Sequence, residues 1–209
     1  MTYNEGIQKV KAALQFPLPG VTVQHFMAPA LRKTTTELLD ENPSHRLSSV
    51  LLLLFPGKDG NLNTLFIERP GGNSIHSGQI ALPGGKVESF DDSPRHAALR
   101  ETEEEIGVPA ISIEIIGTLT SLYIPASNFL VIPHIGVMNS LPEFNPNPLE
   151  VTSIIELAVS DLLELQSLEK IFLTSYGNLY APYFDIQGHS LWGATAMIVS
   201  EFREMIRTM

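Results

Sequence analysis

Three glutamates near the middle of the chain constrain its fold and chemistry more than any other feature. Glu101, Glu104 and Glu105 are spaced i, i+3 and i+4, so on a helix their carboxylates share one face. Like charges at this spacing repel one another unless a cation lies among them, and Mg²⁺ or Mn²⁺ takes oxygen ligands of this kind. A run of glutamates is more often a solvated helix face. The preceding Gly84-Gly85 turn and the adjacent Arg100 favour a cation site instead.

The helix that carries the glutamates is marked at both ends. Ser93 is a suitable N-cap, and Pro94 suits the first helical position, where the missing N–H is no loss. Gly107 supplies the stop. Arg100 lies four residues before Glu104, close enough to hold a carboxylate by a bidentate contact. The sequence therefore predicts a glycine loop followed by a helix whose acidic face is turned back toward that loop.

Residues 85–108 resemble the Nudix box, the signature of hydrolases that cleave a nucleoside diphosphate linked to another group. The matching core is Gly85, then Arg100-Glu101-x-x-Glu104-Glu105-x-Gly107-Val108. The spacing from Gly85 to Arg100 is one residue longer than the usual one. Asp92 takes the place of the family's glutamate before the helix, and Thr102 that of an aliphatic residue. The resemblance covers about residues 46–202 and is densest over residues 65–108.

The resemblance implies the fold and a set of site residues. The fold is α/β, with a mixed β-sheet sandwiched between helices. The implied catalytic residues are Glu101, Glu104, Glu105 and Arg100. The implied metal ligands are Glu101, Glu104, Glu105, the Gly85 carbonyl and Glu150, with Mg²⁺ or Mn²⁺ as cofactor. Glu101 is also the candidate for handling the proton of the attacking water. For Glu150, a simple edge-strand carboxylate is nearly as good an interpretation.

The run from His76 to Val87, HSGQIALPGGKV, is similar to that of the coenzyme A pyrophosphatase subgroup. That resemblance implies coenzyme A or acyl-coenzyme A as substrate, with adenosine 3′,5′-bisphosphate and 4′-phosphopantetheine as products. The expected substrate-binding residues are Arg69, His76, Gly78 and Lys86, although His76 is more often a hydrogen-bonding loop residue. Ser74 stands where the subgroup has an arginine, which keeps ADP-ribose and dinucleotides open as alternative substrates.

A non-catalytic, ligand-binding regulator with the same fold is a further alternative. Such a protein is expected to lose a catalytic glutamate and to carry a DNA-binding appendage, and the sequence shows neither. Tyr123, Phe129 and Phe184 could stack an adenine, but aromatic residues at strand ends are more often part of the core. Trp192 is interpreted as a packing residue.

Composition narrows the class of protein. The chain of 209 residues is 44% hydrophobic, enough for one substantial core. Its net charge of −10 argues against a nucleic-acid partner, and no stretch approaches the length of a membrane span. The absence of cysteine excludes thiolate catalysis and cysteine-based zinc sites. We expect a cytoplasmic enzyme that binds a small-molecule nucleotide, with a homodimer left open.

The pattern along the chain predicts a helical extension, residues 1–45, packed on a Nudix domain formed by residues 46–209. Helices are expected over residues 4–15, 34–40, 160–166 and 191–205. Strands are expected over residues 50–55, 65–67, 111–117, 131–137 and 151–157, with residues 57–61 as a turn between the first two. The last helix is expected to be amphipathic.

Overall fold

The structure is a computed structural model, and it describes residues 1–30, 32–41, 44–72, 78–174 and 177–208. The helices are α1 (Tyr3–Ala13), α2 (Gly20–His25), α3 (Thr35–Glu41), α4 (Pro94–Ile106), α5 (Val159–Glu164) and α6 (Gly193–Arg207). The strands are β1 (Arg46–Pro56), β2 (Leu62–Glu68), β3 (Ile80–Ala81), β4 (Gly84–Lys86), β5 (Glu114–Thr118), β6 (Leu122–Ile124), β7 (Phe129–Val137), β8 (Ser153–Ala158), β9 (Ser167–Thr174), β10 (Gly177–Ile186) and β11 (His189–Trp192).

The larger sheet is mixed and has eight strands. Its main path runs β3-β2-β1-β7-β5, and β1 pairs with β7 in parallel, whereas the other pairs are antiparallel. The β1 strand pairs with β2 only at residues 54–56 and with β4 at residues 48–50. The β1 and β2 strands therefore splay apart beyond these residues. The short strands β3 and β4 fill the gap, β3 by pairing with β2 and β4 by pairing with β1. This splayed end holds the glycine loop.

Both faces of this sheet are covered by helices. The uninterrupted apolar run of β1 reflects this burial, because a strand covered on both faces needs no polar alternation. Leu51, Leu53 and Phe55 pack in one cluster with residues of α4, and Leu52 and Leu54 pack in the opposite cluster with residues of α1 and α6. The α/β fold with a mixed sheet between helices is confirmed.

The N-terminal helices lie against the α6 side. The α1 helix contacts β2 and α6, and α2 contacts α6. Glu201 of α6 is fully buried, and its carboxylate accepts hydrogen bonds from Gln24 Nε2 at 2.9 Å, Thr120 Oγ1 at 2.6 Å and the Gly20 amide at 3.2 Å. A buried carboxylate with several donors ties α2 and the segment after β5 to the last helix. Among the described residues, no helix is long and apolar enough to cross a membrane.

Several predicted elements need correction. Residues 110–112 form a turn of 3₁₀ helix, so the strand expected from residue 111 begins at Glu114. Residues 189–192 form β11, and the last helix begins at Gly193, whose positive φ of 62° sets it off from the strand. The sequence did not predict α2, β3, β4, β6, β9 or β10. The last two, with β11, form a separate three-stranded sheet.

Candidate active site

The α4 helix presents the acidic face as its sequence predicts. Ser93 is the N-cap, with its hydroxyl accepting from the His96 amide at 3.2 Å, and Pro94 begins the helix. Gly107 ends it in the left-handed conformation, with φ of 74°. A Cβ on Gly107 would lie 2.8 Å from Asn145, so glycine is also required for the close approach of the following loop. The helix ends fix which residues face β4.

Arg100 organises the carboxylates of this helix. Its Nε and Nη2 bind the two oxygens of Asp91 at 3.0 and 2.9 Å, and its Nη1 contacts Glu101 at 2.9 Å and Glu104 at 3.0 Å. Nη2 also donates to the Lys86 carbonyl at 3.2 Å, which ties the helix to β4. These charge-assisted contacts raise the pKa of Arg100 and lower that of Asp91. The arginine therefore holds the acidic face in register with the glycine loop.

The acid paired with Arg100 is Asp91, one residue before Asp92, which the sequence analysis placed at the family's acidic position. The Asp91 side chain has no exposed surface, because the turn formed by residues 88–91 directs its carboxylate inward. Asp92 is exposed. Glu88 binds Lys86 Nζ at 2.9 Å. The extra residue of the motif therefore lies between Asp91 and Arg100.

Glu101 lies directly against the glycine loop. A Cβ on Gly85 would meet the Glu101 carboxyl carbon at 2.4 Å, so only glycine lets this carboxylate approach β4. Burial raises the pKa of Glu101, against the opposing effect of Arg100. The Gly85 carbonyl, the predicted backbone ligand, accepts a hydrogen bond from Ser48 Oγ at 2.8 Å. Ser48 was not predicted, and it fixes the orientation of that carbonyl.

Glu105 is the most deeply buried of the three helix glutamates Glu101, Glu104 and Glu105, with 1% of its side chain exposed. Its Oε2 accepts from the Gly84 amide at 2.7 Å, and its Oε1 lies 3.1 Å from Arg69 Nη2. Burial nevertheless raises its pKa to about 7, because these partners compensate only part of the cost of removing the charge from water. The pocket around Glu105 is therefore short of positive charge.

Glu150 joins the group from a separate loop. The Asn145 amide bonds the Ile106 carbonyl at 2.9 Å, and the Asn147 amide bonds the Glu105 carbonyl at 3.0 Å, which docks this loop on the end of α4. Asn147 Nδ2 then contacts Glu150 Oε1 at 3.2 Å. Glu150 precedes β8, so it is not an edge-strand residue.

One oxygen from each of Glu101, Glu105 and Glu150 lies within 4.8 Å of the others. These oxygens suit Mg²⁺ or Mn²⁺, and a divalent cation would supply the positive charge that the pocket around Glu105 lacks. The donor set, the space left by Gly85 and the elevated pKa of Glu105 all fit a divalent cation. Three converging carboxylates, held by one helix and one docked loop, form a candidate metal centre.

The same residues lie within a region that matches a known family. A model of the NUDIX domain matches residues 45–165, which include all three carboxylates of the candidate metal centre. The chain belongs to the Nudix family.

Individual relatives agree with this assignment. The chain is 33% identical over 133 residues to an uncharacterized Nudix hydrolase, NudL, of Photorhabdus laumondii. That match covers 63% of this chain and 71% of the Photorhabdus protein. It is 33% identical over 159 residues to Nudix hydrolase 15, mitochondrial, of Arabidopsis thaliana, covering 73% of this chain. The match spans 55% of the length of that plant protein. This chain is a Nudix hydrolase.

A solved structure supports the fold. A Nudix hydrolase from M. smegmatis, RenU, superposes with a TM-score of 0.56 at 20% sequence identity. The alignment covers 79% of this chain and 88% of that chain.

In this Nudix hydrolase, Glu104 stands apart from the three converging carboxylates. Its side chain is 51% exposed, and its Oε2 is held by Arg100. The adjacent Glu103 is exposed and accepts from the Ala110 amide at 3.0 Å. The two glutamates therefore differ in surroundings, since only Glu104 shares the arginine that contacts Glu101.

The predicted substrate-binding residues differ in their surroundings, since Arg69 contacts the candidate metal centre whereas Lys86 and Gly78 are exposed. Arg69 is engaged with Glu105, and its Nη2 also donates to the Gly84 carbonyl at 2.8 Å, so it supports the metal centre in this structure. Lys86 is exposed and paired with Glu88, and Gly78 is exposed with φ of 67°. His76, like Ser74, lies outside the described residues.

The aromatic candidates for adenine stacking are mostly core residues. Tyr123 and Phe184 are each 2% exposed, whereas Phe129 is half-buried beneath the Arg46 guanidinium, 4.2 Å from its ring centre. The packing interpretation therefore accounts for Tyr123 and Phe184.

Proposed function

We propose that this Nudix hydrolase cleaves the diphosphate linkage of a nucleoside diphosphate derivative, using Mg²⁺ or Mn²⁺ held by Glu101, Glu105 and Glu150. The observation that carries the proposal is the convergence of these three carboxylates within 4.8 Å beside a glycine that leaves room for Glu101. When bound, the cation supplies electrostatic activation of the diphosphate and of the attacking water.

The residues of the chain have separable roles in this proposal. Glu105 and Glu150 hold the cation, and the Gly85 carbonyl, oriented by Ser48, provides a further oxygen. Glu101 also accepts the proton of the attacking water, a role that its burial-raised pKa favours. Glu104 contributes its carboxylate to the same metal site from the exposed side of the helix.

Arg100 positions the acidic residues without touching the substrate. It bridges Asp91, which has no exposed side-chain surface, to Glu101 and Glu104. This bridge holds the flexible glutamate side chains before substrate arrives and so reduces the entropy lost on forming the reactive complex.

Coenzyme A or an acyl derivative is the proposed substrate, cleaved to adenosine 3′,5′-bisphosphate and 4′-phosphopantetheine. The similarity of the run from His76 to Val87 to the coenzyme A pyrophosphatases supports it. ADP-ribose or a dinucleotide is the second candidate, because Ser74 replaces the arginine of that subgroup.

The substrate is tested by comparing kcat/KM for coenzyme A, dephospho-coenzyme A, ADP-ribose, NADH and diadenosine polyphosphates, in Mg²⁺ and in Mn²⁺. We expect the highest value for coenzyme A, with the two products identified by mass spectrometry. If the absent arginine reads the 3′-phosphate, dephospho-coenzyme A is cleaved equally well, and Ser74→Arg restores a preference for coenzyme A. Selective cleavage of ADP-ribose would reject the coenzyme A assignment and leave the diphosphate chemistry in place.

A further inference from the structure

The three-stranded sheet has a core-facing side and an outward-facing side. Phe184, Ile186 and Leu191 are buried in the cluster that includes α6. Residues of β9, β10 and β11 that pair directly lie on the same face, so the register places a second set of side chains on the opposite side. We call this set the aromatic face, and it consists of Lys170, Phe172, Tyr183 and Trp192.

The aromatic face has the geometry of a stacking platform. Phe172 and Trp192 are stacked, with ring centres 4.2 Å apart and planes inclined by 14°, and Tyr183 meets Phe172 edge to face at 6.0 Å. All three rings are half-buried, so each keeps surface open to solvent. Flat aromatic surfaces of this kind stack nucleobases with little regard to base identity.

Lys170 places a cation on the same platform. Its Nζ lies 4.9 Å from the centre of the Phe172 ring and 4.8 Å from that of Tyr183, and it donates to Ser190 Oγ. Lys170 is exposed, and Nζ–H donors remain for an anion beyond these contacts. An ammonium beside a stacked pair of rings matches a nucleotide, in which a phosphate is joined to a flat base through one sugar.

The aromatic face adjoins the strand that leads into the catalytic loop. The β11 strand, which ends at Trp192, lies against β3. From β3 the chain passes in two residues to Gly84, whose amide binds Glu105. The platform is therefore connected to the metal centre through a short strand of the large sheet.

We propose that the aromatic face binds the nucleotide end of the substrate, with the base stacked on the face of Trp192 that is turned away from Phe172 and a phosphate on Lys170. The inference rests on the proposed function in taking a nucleotide as the ligand. It adds that recognition of this end lies outside the Nudix box, in the three-stranded sheet.

Trp192 allows a direct binding test, because it is the single tryptophan of the chain. Adenosine 3′,5′-bisphosphate is titrated into the full-length protein in EDTA, since this probe has no diphosphate linkage and needs no metal for base stacking. We expect saturable quenching of tryptophan fluorescence, and none with 4′-phosphopantetheine, which lacks a base. Phe172→Leu should raise the Kd about tenfold, because it removes the ring that holds Trp192 in its stacking orientation.

Lys170→Met separates recognition of phosphate from recognition of the base. It should weaken adenosine 3′,5′-bisphosphate about tenfold and leave adenosine unchanged, because one charge-assisted contact is lost. Ile171→Ser is the matched control, since Ile171 lies on the same strand, is 61% exposed and points to the opposite face. Its Kd should equal that of the wild type. In hydrolysis assays, Phe172→Leu and Lys170→Met should raise KM and leave kcat unchanged.

Two outcomes of the binding assay overturn the inference. One is the absence of saturable quenching by the folded wild-type protein at millimolar adenosine 3′,5′-bisphosphate. The other is binding by Phe172→Leu and Lys170→Met that is as tight as that of the wild type and of Ile171→Ser. Specific binding without hydrolysis of any substrate would support the aromatic face and reject the proposed function. Hydrolysis of a substrate with KM unchanged in both variants would support the proposed function and reject the aromatic face as its binding site.

Discussion

Glu105→Gln should stabilise the metal-free protein while it removes activity. The pKa of Glu105 is raised from 4.5 to about 7, which corresponds to a cost of about 3 kcal/mol for keeping the carboxylate ionised in the folded state. Glutamine has nearly the same shape and keeps an oxygen for the Gly84 amide, whose bond to Glu105 is 2.7 Å. The substitution therefore removes a buried charge without opening a cavity.

The stability gain depends on pH in a defined direction. Below about pH 4.5 both the folded and the unfolded protein carry a protonated Glu105, so the variant and the wild type should have similar free energies of unfolding. Between about pH 4.5 and 7 the unfolded chain loses this proton and the folded protein retains it, so the wild type loses stability as pH rises. The difference should approach about 3 kcal/mol at pH 8, before discounting for relaxation of the site.

The assay is urea unfolding of both proteins in EDTA at pH 5 and at pH 8, repeated with Mg²⁺. Mg²⁺ should stabilise the wild type at pH 8, because a ligand that binds only the folded state raises its free energy of unfolding. It should have a much smaller effect on the variant. A variant no more stable than the wild type at pH 8 in EDTA would refute the reasoning, since it would mean that Glu105 is well compensated without a cation.

Three further substitutions test the supports of the site. Arg100→Ala should lower the free energy of unfolding by about 2–4 kcal/mol and impair turnover, because the Asp91 carboxylate loses its arginine partner and keeps the Glu88 amide and His96; a fully stable and active variant would make Arg100 a surface residue. Gly85→Ala should lower kcat about a hundredfold with little change in melting temperature, since its Cβ would displace the flexible Glu101 carboxylate; unchanged kcat would remove Glu101 from the reaction. Glu201→Ala should lower the free energy of unfolding by about 2–4 kcal/mol, measured by urea unfolding, because the buried donors that tie α2 to α6 lose their acceptor; a neutral change would mean that they find other partners.

The sequence predicted the α4 helix well because its signals are local. Ser93, Pro94 and Gly107 act within one turn of the helix ends, and the i, i+3, i+4 spacing of the glutamates fixes their common face. Glu150 was proposed as a ligand with an edge-strand role as the alternative. The structure brings it to Glu101 and Glu105 through a loop docked on α4 by long-range backbone hydrogen bonds, which no local pattern specifies.

Other features depend on packing that a single sequence does not reveal. The extra residue between Gly85 and Arg100 can lie before or after the acidic residue that pairs with Arg100. The turn that directs the Asp91 carboxylate inward shows that this residue is Asp91, and a single sequence does not reveal that turn. The β9 strand was not predicted because its residues, Ser167–Thr174, are largely exposed and show no clean alternation. The start of α6 was placed too early, although Gly193 after Trp192 was a usable signal for a break.

We propose that residues 1–45 form a helical extension that is a separate unit from the Nudix domain of residues 46–209. The α1 and α2 helices pack on β2 and α6, so we expect removal of these residues to expose the α6 cluster and to destabilise residues 46–209.

The most direct test of the metal-centre account is the rate in Mg²⁺ of cleavage of the proposed substrate, coenzyme A, or of the member of the substrate panel with the highest kcat/KM, for Glu101→Gln and Glu103→Gln, measured side by side with the wild type. Both substitutions remove one negative charge from α4, but Glu101 lies in the converging group, whereas Glu103 is exposed. The account predicts a loss of at least about a hundredfold for Glu101→Gln and a rate within about twofold of the wild type for Glu103→Gln. Equal rates for the two variants would contradict it.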